Sequence, residues 1–95
     1  MEYQLTRPSP ARARLAGLLD PIDVDLLATL RAYVDNGQSR QRTARILHVH
    51  PNTVDYRLRK IAVQTGLDAT RPADLPRIAA ALAARDMGTQ MGTSI

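Results

Sequence analysis

The sequence predicts an all-α protein, a small helical domain of four to five helices containing a helix-turn-helix. Three observations predict it. Apolar residues make up 44% of the chain, yet it holds no Phe, no Trp and only three Tyr. Its core must therefore be thin and built from Leu, Ile, Val and Ala, which suits closely approaching helices better than a sheet. Apolar residues also recur at helical spacing in separate stretches, each bounded by residues that start or stop helices. Finally, the stretch Ser39 to Ile61, SRQRTARILHVHPNTVDYRLRKI, reads as two short helices joined by a tight corner.

Residues 1–10, MEYQLTRPSP, predict a linker or extended arm, because Pro8 and Pro10 interrupt helices and central strands alike. Leu15, Leu18 and Leu19 fall at i, i+3 and i+4, which predicts a short helix from Ala11 to Leu19, weakened by Gly17. Asp20-Pro21 ends it. The next helix runs from about Asp23 to Asn36. Asp23 or Asp20 caps it, Leu26, Leu27, Leu30, Tyr33 and Val34 share one face, and Asn36-Gly37 closes it.

Ser39 is suited to cap a helix from Arg40 to His48, with Thr43, Ala44 and Leu47 inward and Ile46 at the margin. Ala44 stands where two helices of such a corner come closest. His48-Val49-His50 forms the turn, with Val49 inward and His50 capping the third helix. Pro51 then occupies the first helical position, where a missing N–H costs nothing. That helix extends to about Thr65 and Gly66 closes it. At roughly 100° per residue, Val54, Leu58, Ile61 and Thr65 form a buried stripe, while Asn52, Tyr56, Arg59 and Val63 lie nearly opposite. Leu67 folds back in a Schellman-type end. After a loop over 68–74, a last helix starts near Asp74 and ends near Arg85, with Leu75, Ile78, Leu82 and the alanines on its apolar face. The domain is expected to span 11–86, with 87–95 a flexible tail.

Charge is unevenly placed. The net charge is +4, with twelve Arg and one Lys. Residues 38–60 hold six basic side chains against Asp55, and residues 20–37 hold four acids against Arg31. A basic segment beside an acidic one is the field of a protein with one nucleic-acid face. On the third helix, Asn52, Thr53, Tyr56 and Arg59 are the candidates to contact DNA bases, because Asn and Arg make bidentate contacts to base edges and Thr can meet a thymine methyl. Ser39, Arg40, Arg42, Arg57 and Lys60 are the candidate phosphate contacts, which position without reading sequence. Asp55 repels phosphate unless it accepts from a cytosine amine or pairs with Arg59 four residues on.

Other chemistries find little support. Cysteine is absent, which excludes disulfides and thiolate metal sites. His48 and His50 have no nearby carboxylate to complete a tetrahedral set, so no metal is expected. No nucleophile–base–orienter set or Gly-rich phosphate loop appears, so the chain is not expected to be an enzyme, and no cofactor is expected. No apolar run reaches the roughly 18 residues of a membrane span, and the N-terminus lacks a signal-peptide core, which predicts a cytoplasmic protein. The expected partner is double-stranded DNA, bound by a homodimer, since one recognition helix reads only a few base pairs. The alternative is a helical dimerisation or protein-interaction module without DNA binding, using the Leu15–Leu30 region and the Ala-rich last helix.

The segments TLRAYVDNG, TARILHVHPNTVDYRLRKI and TGLD resemble the C-terminal helix-turn-helix of the PucR/CdaR-type bacterial transcription regulators. The resemblance rests on Leu26, Leu27, Thr29, Leu30 and Tyr33; on Thr43, Ala44, Leu47, Val49 and His50; on Asn52, Thr53, Val54, Tyr56, Arg57 and Leu58; and on Thr65, Gly66 and Leu67. It covers about residues 15–85 and implies a fold similar to the DNA-binding end of the nucleoid protein Fis. It also implies a DNA-reading module, with an upstream sensory region in the longer regulator. Pro51 and Asp55 stand where the commoner family pattern has basic residues, which bears on affinity and base preference.

Overall fold

The computed structural model describes residues 10–93, and side chains from 14 to 87. Five α-helices follow in order: α1 (Pro10–Gly17), α2 (Val24–Asp35), α3 (Arg40–Leu47), α4 (Pro51–Thr65) and α5 (Leu75–Thr93), with a 3₁₀ turn (Pro72–Asp74) leading into α5. No strand occurs among the described residues. Of the expected arm over 1–10, all but Pro10 lies outside them; Pro10 is the first residue of α1, a position that requires no N–H.

Local chemistry sets the ends of α2. Asp23 caps it, its Oδ1 accepting from the Leu26 N–H at 2.9 Å. At the other end Gly37 adopts φ +65°, and the Gln38 N–H donates to the Tyr33 carbonyl at 2.9 Å, which is a Schellman closure. Asp23→Ala should cost about 1 kcal/mol, the usual worth of an N-cap, read as a lower urea midpoint at unchanged slope.

Two packing groups share one core. Helices α2, α3 and α4 pack against one another, and α1 packs along α5; α2 and the loops join the groups. Leu19, Leu30, Val54, Ile61 and Ile78 have no exposed surface, and neither has Ala81 on α5. Two ion pairs reinforce the joint: Arg31 donates to Asp86 at 2.8 Å, and Arg85 to Asp20 at 3.2 Å.

Several helix ends differ from expectation; α1, for one, stops at Gly17 rather than Leu19. α5 continues to Thr93 rather than ending near Arg85, across residues expected to form a flexible tail. The alanine-rich start of α5, with the highest helix propensity in the chain, carries the helix through Gly88. The end of α4 is not a Schellman closure. Gly66, at φ +76°, donates to the Ala62 carbonyl, but the Leu67 N–H goes to the Thr65 hydroxyl at 3.0 Å. That hydroxyl donates in turn to the Ile61 carbonyl at 2.7 Å. Thr65 thus closes the helix with its side chain, and Leu67 is buried as expected.

Candidate nucleic-acid interface

The corner between α3 and α4 is built from short-range bonds that its sequence supplies. Ser39 caps α3, its Oγ accepting from the Arg42 N–H at 3.1 Å, while its carbonyl accepts from the buried Thr43 hydroxyl at 2.7 Å. α3 stops at Leu47, one residue earlier than expected, because His48 turns left-handed at φ +58°. Histidine is among the few non-glycine residues enriched in that region. With His48 there, the Val49 N–H reaches the Ala44 carbonyl at 2.9 Å and closes the helix. The His50 Nδ1 accepts from the Asn52 N–H at 3.0 Å, which starts α4 at Pro51. Ala44 is buried at the contact and Val49 packs on the core from partial exposure.

α4 has two unlike faces. Val54, Leu58 and Ile61 are at most 2% exposed, whereas Tyr56 is 56% and Val63 86% exposed on the other side. Asn52, Arg59 and Lys60 are exposed on that outer side, and Thr53 is half-buried beside it. From Asn52 to Val63 this face is about 17 Å long at 1.5 Å per residue. Tyr56, Arg59, Lys60 and Val63 together line a shallow, mostly apolar groove along it. Of the expected base contacts, Asn52, Tyr56 and Arg59 therefore share one open face, with Thr53 at its margin.

The expected phosphate contacts divide. Arg42 is exposed on α3, beside Arg45, Ile46 and Asn36 around a second shallow depression. Ser39 is half-buried at the start of α3. Arg57 turns toward α2 instead of away from the fold: its Nη1 donates to the Thr29 hydroxyl at 3.2 Å, and that hydroxyl donates to the Asp25 carbonyl at 2.9 Å. Thr29 is fully buried, so this bond ties α4 to α2.

Arg40 and Asp55 form a pair that the local sequence pattern does not disclose. Arg40 Nε donates to Asp55 Oδ1 at 2.8 Å and Nη2 to Oδ2 at 2.6 Å, so a planar fork joins the first turn of α3 to the flank of α4. Of the two roles considered for Asp55, pairing with Arg59 on its own helix gives way to this bond between helices. Fifteen residues separate the partners, and only the corner brings them together. The hydrogen bonds from Arg40 hold the Asp55 carboxyl below its ordinary value, against the opposing effect of burial. A carboxylate held low in the fold contributes stability above its unfolded value of about 4, lost as pH falls through its folded value. Asp55→Asn should therefore melt earlier than the native chain at neutral pH, the gap closing as the pH is lowered through and below about 4.

Asp68 is also held low, by Thr70, whose hydroxyl and N–H both donate to it. This orders the loop before α5. Among the described residues no group of three or more His, Cys, Asp or Glu side chains stands close enough to hold a metal ion. Among the same residues, no helix is long and apolar enough to cross a membrane.

Known proteins resemble this chain in sequence or in fold. Over 49 residues, 52% of its length, the chain is 53% identical to uncharacterized proteins of Mycobacterium tuberculosis and Mycobacterium bovis, spanning 12% of theirs. Its fold is similar to a crystal structure of a regulator of polyketide synthase expression from Bifidobacterium adolescentis, with a TM-score of 0.75 and 37% identity. That similarity covers 88% of this chain and 37% of the regulator. Residues 26–84, which take in most of α2, the corner, α4 and most of the buried part of α5, match the PucR C-terminal helix-turn-helix domain; the chain belongs to that family.

Proposed function

We propose that this domain binds double-stranded DNA within a transcription regulator, with α4 lying in the major groove. The observation that carries the reading is the division of α4 into a fully buried stripe and an open face bearing Asn52, Tyr56, Arg59 and Lys60. Such a helix can enter a groove without disturbing the core that holds it. Asn52 and Arg59 meet base edges, Thr53 and Tyr56 contact bases from the margin and middle of the face, and Ser39, Arg40, Arg42 and Lys60 meet phosphates. Arg57 serves mainly to hold α4 on α2, since its head is engaged by Thr29. Two copies on half-sites about one helical turn apart supply the contacts that one copy lacks. The regulator is read as a cytoplasmic protein whose upstream region senses the effector. No catalytic step is assigned to the domain.

The test is duplex binding across a salt series, using sequences selected from a random pool. Engaging about four phosphates per domain predicts a log–log slope near −3 to −4 per copy. A palindromic selected consensus supports the dimer. A flat salt response overturns the reading. A chain that self-associates yet ignores duplex at low salt supports the interaction-module alternative instead.

A further inference from the structure

Asp55 is the one acid in the basic segment 38–60, and it stands on the flank of the helix proposed to enter DNA. Coulomb's law alone makes it a liability there. The geometry gives it a different part. Arg40 is the first residue of α3, and its guanidinium carries five N–H donors, two of which go to Asp55. The other three have no acceptor among the described residues. Arg40 and Asp55 remain partly open, with side-chain exposures of 45% and 35%. The carboxylate thus fixes one edge of the fork and leaves the other free. A free arginine must order a long side chain on each phosphate contact, and a braced one has done so in advance.

We propose that Asp55 is a positioning residue that holds the Arg40 guanidinium ready to grip a backbone phosphate. This deepens the DNA-binding reading and rests on it. It contrasts with sequestration, in which Asp55 would keep Arg40 away from DNA. The two make opposite predictions for a double-mutant cycle on a mixed-sequence duplex at low salt, where phosphate contacts dominate.

If Asp55 braces Arg40, Arg40→Ala weakens binding about 10-fold or more in the native background, the lower end for one charge-assisted bond, and less than about 2-fold in the Asp55→Ala background. Arg40→Lys, which keeps the charge but lacks the fork, should lose nearly as much as Arg40→Ala. Asp55→Asn, which keeps the shape and one acceptor, replaces Asp55→Ala if the latter fails to show the helical circular dichroism of the native chain. A larger loss from Arg40→Ala without Asp55 than with it overturns the proposal in favour of sequestration. Equal losses in both backgrounds overturn it as well. Absence of any salt-sensitive binding by the native chain overturns the DNA-binding reading itself, so the two failures are distinguishable.

Discussion

Arg59→Ala is expected to weaken binding to a selected duplex by about 5- to 150-fold, the equivalent of the 1–3 kcal/mol assigned to one bidentate base contact. Arg59 is exposed on the open face of α4, and among the described residues no hydrogen bond or ion pair joins it to another side chain. Its removal therefore takes nothing from the core, and the melting temperature should stay near that of the native chain. Asn52→Ala should behave alike, because the Asn52 backbone N–H, not its side chain, makes the capping bond with His50. The decisive measurement is the ratio of affinities for selected and random duplex. Loss of a base contact lowers that ratio; loss of a phosphate contact weakens both together and flattens the salt slope by about one. An equal loss on both duplexes would remove Arg59 and Asn52 from base reading.

Ile61→Ala is expected to have the largest effect on stability. Ile61 has no exposed surface and lies on the stripe that seats α4 in the core. Removing three buried carbons costs about 2–5 kcal/mol once the cavity is included. For a domain of this size each 1 kcal/mol corresponds to about 4–8 °C in melting temperature, so a fall of more than about 10 °C should follow. Val63→Ala is the matched control on the same helix: at 86% exposure it should leave the melt nearly unchanged. Similar melts for the two variants would contradict the burial pattern of α4. DNA binding by Ile61→Ala, measured well below its melt, should return toward the native value, because the outer face is untouched.

Most of the fold was legible because helix boundaries here are made locally. Asp23, Ser39 and His50 each accept an N–H two or three residues ahead, and Pro51 and Gly66 mark their ends through backbone geometry. Such bonds depend on neighbours in the chain, so spacing reveals them. The α4 stripe was legible for a related reason: a period of 3.6 separates Val54, Leu58 and Ile61 from Asn52, Tyr56 and Arg59 whatever α4 packs against. The stop of α3 at Leu47 was less so, because nothing before His48 forbids another helical residue. The left-handed turn goes with the packing of the partly exposed Val49 against the core.

The chain's own pattern determined the helices, the corner and which residues of α4 face outward, since each follows from periodicity or from a bond within a few residues. Only the packed structure decided the partners of the long polar side chains. Asp55 had a local choice in Arg59, at helical spacing, and took Arg40 from another helix because the corner presents both donors of a planar fork at 2.8 and 2.6 Å. Arg57 could have reached outward, and the buried Thr29 hydroxyl draws it to α2. Long side chains have several reachable partners within one helix turn of freedom. Which one they meet depends on the angle at which helices cross, and that angle is a property of the assembled core.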